Sequence, residues 1–99
     1  NYKKIKTPIK GMGNYTLWVA DTPLKKIRGL KKIRSLPNKC GMIFVYDKPV
    51  KNNFTMVGVK IPLTIMFLDK NFNILNIVKA KPGEKSIVPN CEYQYVIEI

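Results

Sequence analysis

The sequence predicts a small, single-domain, mainly β fold, barrel-like or a sandwich, with one short helix after the first long strand. Several short runs rich in β-branched and aromatic residues are separated by turn residues, a pattern typical of all-β domains. Only one segment carries the signals that start a helix. A chain of 99 residues, 45% of them hydrophobic, can bury one core and not two. We therefore assign one domain over residues 1–99.

The first long strand is predicted over residues 15–20, whose β-branched and aromatic side chains follow a turn at residues 11–14. A short helix is expected next, because Thr22 can cap the helix and Pro23 suits its first position. Three apolar residues then recur at three-residue spacing and predict a stripe that packs inside. They are Leu24, Ile27 and Leu30.

Two candidate strands follow, over residues 41–46 and 54–61, the first of them ending before Asp47-Lys48-Pro49. Residues 63–68 are apolar at odd and even positions alike, which indicates an inner strand covered on both sides.

The remaining chain predicts a hairpin and a final strand. Residues 72–81 follow a turn at residues 69–71, and residues 82–84 form the next turn. The last strand alternates, and its two faces are expected to hold Tyr93, Tyr95, Ile97 and Ile99 on one side and Glu92, Gln94, Val96 and Glu98 on the other.

Positive charge is concentrated in the first half of the chain. Residues 1–51 contain 13 Lys and Arg against 2 acids, whereas residues 52–99 contain 5 against 4, within a formal net charge of +12. Such a bias is typical of proteins with a polyanionic partner. Histidine, the commonest acid–base side chain, is absent.

We therefore predict a non-catalytic domain that binds DNA or RNA largely independently of sequence, through phosphate contacts of Lys and Arg within residues 1–51. One candidate cluster comprises Tyr2, Lys3, Lys4, Lys6 and Lys10. The other comprises Lys25, Lys26, Arg28, Lys31, Lys32 and Arg34. Tyr2 and Phe72, near an end and a turn, are the aromatic residues best placed to stack on unpaired bases.

No catalytic, metal or cofactor site is predicted. Cys40 and Cys91 lie 51 positions apart, and without histidine they cannot complete a tetrahedral zinc site. The spacing leaves open whether they form a disulfide or remain free thiols.

Several blocks of the sequence resemble the family called domain of unknown function 192, from about Tyr15 to the end of the chain. The blocks are residues 19–23 (VADTP), 28–30 (RGL), 36–37 (LP), 41–46 (GMIFVY), 61–63 (IPL) and 67–69 (FLD). The resemblance implies a small, barrel-like, mainly β domain with a short helix after the first strand, and no assigned activity.

The chain also departs from that family's pattern. Members usually carry a polar, aromatic stretch before the IPL block and an acid just after it, where this chain has FTMVGV at residues 54–59 and Thr64. The family's Asp-Gly turn is replaced by Asn71-Phe72. These departures put in doubt any small-molecule site that the family builds from those side chains.

Two other functions are compatible with the sequence. A small β-barrel could bind an anionic small ligand or a protein partner, in a concave site lined by residues 41–60. An anionic membrane surface is disfavoured, because the three apolar helix residues are expected inside the fold. No apolar run approaches a membrane span of about 20 residues, so no integral membrane segment is expected. A cytoplasmic location is expected, with export after removal of a signal peptide as the alternative.

Overall fold

The computed structural model describes residues 1–99 and contains six strands and one helix. In chain order they are β1 (Lys4–Ile9), β2 (Gly13–Ala20), α1 (Pro23–Arg28), β3 (Cys40–Val50), β4 (Leu63–Leu68), β5 (Ile74–Ala80) and β6 (Tyr93–Glu98). All six strands form one sheet in the order β1-β2-β3-β6-β4-β5. The prediction of a mainly β single domain with one short helix is confirmed. The sheet does not close into a barrel.

The last strand lies in the interior of the sheet. β6 pairs antiparallel with β3 on one side and with β4 on the other, so Ile97 lies opposite both Ile43 and Met66. The β2–β3 pair is parallel, and the chain crosses between these strands through α1. Gly41 in β3 makes the closest approach, since a Cβ there would collide with the backbone carbonyl oxygen of Glu98.

Apolar side chains cover both faces of the sheet. We call the larger group the main cluster; it comprises Ala20, Leu30, Met42, Phe44, Met56, Val59, Leu63, Ile65, Phe67, Ala80, Ile87, Tyr93 and Val96. The second cluster comprises Ile9, Leu17, Ile43, Met66, Leu68 and Ile97. As predicted, β4 is an inner strand, and its two faces are covered by different clusters, so it contributes side chains to both.

The helix begins as predicted but packs differently. The Thr22 hydroxyl accepts a hydrogen bond from the Lys25 backbone N–H at 3.2 Å, and the helix ends at Gly29. Leu30 is buried at 1% exposure, whereas Leu24 and Ile27 are 64% and 68% exposed. The expectation that all three pack inside is therefore wrong for Leu24 and Ile27. The helix has only six residues, and only the chain that follows it enters the core. A helix of this length cannot cross a membrane.

The predicted strand over residues 54–61 is absent. Phe54 makes only an isolated bridge to Ile87. Beyond it the backbone bonds locally: the Val57 N–H donates to the Thr55 hydroxyl at 3.1 Å and the Val59 N–H donates to the Met56 carbonyl at 2.9 Å. These turn contacts occupy groups that a strand would use for pairing, and they make residues 51–62 a loop over the sheet.

Three other strand assignments differ in detail. β1 is not predicted by the sequence, because Pro8 and the four lysines within residues 3–10 obscure its alternation of polar and apolar residues. β1 lies at the edge of the sheet, where a proline is tolerated. β3 continues through Asp47-Lys48-Pro49 to Val50, with a register irregularity after Val45. In β6, Tyr93 belongs to the main cluster with Val96, not to the face of Tyr95 and Ile97.

Candidate functional site

Two clefts open on the side of the sheet that carries the main cluster. The helix cleft, about 380 Å³, lies between α1, β3 and the loop at residues 52–55. The N-terminal cleft, about 330 Å³, lies between the start of the chain, β2 and the segment after α1. Arg28, Gly29, Leu30 and Lys31 line both clefts, so the two are neighbours across one segment.

The two basic clusters of the sequence meet at these clefts. Lys4, from the first cluster, lines the N-terminal cleft together with Arg28 and Lys31 from the second. The Lys25 ammonium nitrogen lies 5.2 Å from the centre of the Tyr2 ring, which lines the same cleft. Lys26 lines the helix cleft on the other side of Arg28. Residues more than 20 positions apart in sequence therefore share one cationic surface.

Acidic side chains neutralise little of this charge. The one ion pair of the protein joins the Lys25 ammonium to the Asp21 carboxylate at 3.8 Å, one helical turn away, and both side chains are partly exposed. Exposed pairs of this kind contribute little to stability, and they screen their neighbours weakly. The surface around the two clefts therefore has a net positive charge.

The other predicted binding residues lie away from this surface or at its margin. Lys3, Lys6, Lys32 and Arg34 are exposed and line neither cleft. Lys10 and Phe72 line a third, apolar cleft of about 750 Å³ between the edge strands β1 and β5, on the side of the second cluster. The Phe72 ring packs against the Tyr95 ring, with the two ring centres 4.9 Å apart. The structure thus brings Tyr2 to the cationic surface and places Phe72 on the opposite side of the sheet.

Glu98 is a candidate functional residue that the sequence pattern does not identify. It is the one charged residue in the core, with 4% exposure, and it lines the helix cleft. Its carboxyl group makes no hydrogen bond and no ion pair. No fully enclosed polar side-chain atom lacks a partner, so the carboxyl oxygens of Glu98 keep slight access to solvent, and the residue lines the helix cleft. Burial raises the pKa of this carboxyl to about 8, so the group is mainly protonated at neutral pH.

The alternation of β6 does not predict the burial of Glu98, because it groups this residue with the polar Glu92 and Gln94 on one face of the strand. Its burial could have been inferred from the neighbouring strands. The apolar runs of β3 and β4 indicate strands that are covered on both faces, and β6 pairs between them, so β6 is covered on both faces as well.

Aromatic rings surround the same cleft. Phe44 and Phe54 meet edge to face with ring centres 5.2 Å apart, and Tyr46 meets Tyr93 in the same way at 5.6 Å. The Tyr93 hydroxyl donates to the Asn52 carbonyl oxygen at 2.6 Å, which holds the loop over the cleft. Burial raises the pKa of Tyr46, and Glu98 raises it further once that carboxyl ionises, so the phenol stays protonated at neutral pH.

The structure brings no three His, Cys, Asp or Glu side chains together as a metal site. Cys40 and Cys91 are free thiols, both partly buried.

The fold and the clefts define a small, mainly β protein with a cationic surface around two clefts. The sequence profile of the uncharacterized ACR family, domain of unknown function 192, matches residues 5–99. The chain belongs to this family, as its motifs indicate. None of the curated proteins matches it.

Two crystal structures have similar folds. A protein of unknown function from Novosphingobium aromaticivorans DSM 12444 is 25% identical, with a TM-score of 0.83 over 99% of this chain and 72% of the other. A Sinorhizobium meliloti 1021 protein, provisionally named a transcription regulator, is 22% identical, with a TM-score of 0.86 over 100% of this chain and 80% of the other. The second likeness bears on the fold alone.

Proposed function

We propose that this protein is a non-catalytic nucleic-acid-binding domain that contacts phosphates through the cationic surface around the two clefts, with little dependence on base sequence. The observation that carries the proposal is the meeting of the two basic clusters at Arg28 and Lys31. Phosphate contacts from Lys and Arg supply most of the affinity of sequence-independent binding.

The aromatic residues of the N-terminal cleft support a preference for single strands. Tyr2 and Trp18 both line this cleft, and Lys4 lies opposite Trp18 in the β1–β2 register. An unpaired base can stack on such rings while the neighbouring cations hold the backbone. A rigid duplex cannot place a base in a cleft of this kind without unpairing it.

The proposal is tested by measuring affinity for single-stranded DNA, duplex DNA of equal length and structured RNA at two salt concentrations. If about six phosphates are neutralised, the logarithm of the duplex affinity should fall against the logarithm of salt with a slope of about −5. Single strands should bind more tightly than the duplex at equal salt. Affinity weaker than roughly 1 mM at low salt would exclude nucleic-acid binding.

A pair of charge-reversed variants locates the binding surface. The test variant reverses the four cations that line the clefts, Lys4→Glu, Lys26→Glu, Arg28→Glu and Lys31→Glu. The control variant carries Lys70→Glu, Lys79→Glu, Lys81→Glu and Lys85→Glu, which changes the net charge equally at positions that line neither cleft. We expect the test variant to lose affinity by at least about 100-fold and the control by less than about tenfold. Equal losses would mean that net charge alone, and not this surface, attracts the nucleic acid.

A second function, the binding of a small anionic ligand, is favoured by the helix cleft. The cleft is lined from within residues 41–60 by Phe44, Tyr46, Asn52, Asn53, Phe54, Thr55 and Val59. Its volume is within the range of small-molecule sites, and Lys26, Arg28 and Lys31 line it as well. Binding that changes little with salt would separate this function from phosphate-backbone contact.

A further inference from the structure

We infer that the helix cleft binds a nucleoside monophosphate, with the base edge hydrogen-bonded to the carboxyl group of Glu98 and the phosphate at Lys26, Arg28 and Lys31. This inference rests on the second proposed function, the binding of a small anionic ligand, and does not require nucleic-acid binding.

The burial of Glu98 is the first step of the argument. A carboxyl group removed from water without a hydrogen bond costs the fold free energy, and buried polar groups almost always have partners. Glu98 has none, yet it lines the helix cleft and its oxygens are not fully enclosed. An uncharged carboxyl group offers an O–H donor beside a C=O acceptor. A ligand that presents an acceptor beside a donor would satisfy both groups at once.

The charges around Glu98 favour the neutral carboxyl and an anionic ligand. The residues opposite Glu98 are apolar, Met42 on β3 and Ile65 on β4, and the nearby titratable group of β3 is Tyr46, whose phenol is protonated because burial raises its pKa. The other charged side chains that line the cleft are Lys26, Arg28 and Lys31, all cationic. A ligand cation at Glu98 would be repelled by three positive charges, whereas an anionic group at the same distance would be attracted.

The walls of the cleft fit a planar ring. Phe44, Tyr46 and Phe54 line it, and the Lys26 ammonium lies 4.0 Å from the centre of the Tyr46 ring, so one cation lies directly beside the aromatic wall. Aromatic walls with one convergent polar group are typical of sites that hold a base out of water. The cleft therefore has aromatic side chains and one carboxyl group that a base could contact, and three cations that a phosphate could contact.

The test uses isothermal titration of the full chain with three probes at pH 7: adenosine 5′-monophosphate, adenosine and ribose 5-phosphate. We expect the complete nucleotide to bind with a Kd between roughly 10 µM and 1 mM, and each half-molecule at least about tenfold more weakly. Absence of nucleotide binding at about 1 mM, or equal binding of ribose 5-phosphate alone, would overturn the inference. The second outcome would leave a phosphate site and so preserve the second proposed function.

Three variants test the part played by Glu98. Glu98→Gln keeps a donor beside an acceptor and should bind the nucleotide within about threefold of the unmodified chain. Glu98→Ala removes both groups and should lose at least about tenfold. Glu92→Gln, at an exposed acid near the same strand, is the matched control and should change nothing. If Glu98→Ala binds as tightly as the unmodified chain, Glu98 does not contact the ligand.

The pH dependence distinguishes a ligand contact from a purely structural role. Affinity of the unmodified chain should fall as pH rises from 7 to 9, because the carboxyl loses the proton that it donates. Glu98→Gln cannot ionise and should bind equally at both pH values. A parallel fall in both proteins would show that another group is responsible.

Discussion

The ammonium group of Lys26 lies 4.0 Å from the centre of the Tyr46 ring, so a residue of α1 contacts a residue of β3, and both line the helix cleft. A cation centred over a ring is attracted by its electron-rich face, by about 0.5–1 kcal/mol at a partly exposed site. This contact connects α1 to the sheet, since Leu24 and Ile27 point away from it.

A double-mutant cycle should recover this attraction. Lys26→Met keeps the stem and removes the charge, and Tyr46→Leu removes the ring. We expect a coupling free energy of about 0.5–1 kcal/mol between the two changes, measured by urea denaturation. Coupling indistinguishable from zero would mean that Lys26 is placed by other contacts.

Leu24 within the helix and Leu30 just after it should respond very differently to substitution. Leu24→Gln replaces an exposed side chain and should alter the free energy of unfolding by about 0.5 kcal/mol or less. Leu30→Ala removes a fully buried one and should cost about 2–5 kcal/mol. Chemical denaturation of both variants checks the contrast; a large loss at Leu24 would contradict the exposed position of the helix face.

Glu98 should make stability depend on pH in a defined direction. Its pKa is about 8 in the folded chain, against the ordinary value of 4.5 for an exposed glutamate, so the folded state binds the extra proton between these two pH values. Stability from this group is therefore complete below pH 4.5 and decreases as pH rises through 8. The full difference is up to about 5 kcal/mol.

The matched measurement compares the unmodified chain with Glu98→Gln at pH 5, 7 and 9. Because the amide cannot ionise, the stability of the variant relative to the unmodified chain should grow from pH 5 to pH 9. A constant difference across this range would mean that Glu98 has the same pKa folded and unfolded.

Gly41 should tolerate no side chain. A Cβ at this position would meet the backbone carbonyl of Glu98 and the side chain of Ile99, so Gly41→Ala must push β3 and β6 apart. We expect a loss of about 1–3 kcal/mol or more in thermal or urea unfolding. Gly83→Ala is the control: it has open space around it and a positive φ of 77°, so it should cost only about 1 kcal/mol. Equal losses would contradict the tight β3–β6 contact.

The fold was largely predictable because local chemistry determines it. Thr22 and Pro23 mark the helix start, and the apolar run at residues 63–68 identifies an inner strand. The loop at residues 54–61 was not predictable, since β-branched and aromatic residues there point into the core from turns and not from a strand. Phe54 and Met56 are large apolar residues that a strand could also carry. They pack in or against the main cluster, but Phe54 makes only one isolated β-bridge, to Ile87.

The candidate site was predictable only in part. The basic residues of the cationic surface are recognisable in the sequence, because Lys and Arg are concentrated in two clusters of the first half of the chain. Glu98 was not predictable as a site residue, because its burial depends on which strands pair with β6. The alternation of residues within one strand carries no information about that long-range pairing.

The placement of β6 affects how the chain acquires its structure. This strand follows the other five in the sequence, yet it separates two halves, β1-β2-β3 and β4-β5, that have no strand pairing with each other. During synthesis neither half can be hydrogen-bonded into the native sheet with the other until residues 93–98 have emerged, so the edges of β3 and β4 that later pair with β6 stay unpaired until then. Deletion of residues 93–98 would therefore split the molecule through its middle and not merely fray one end.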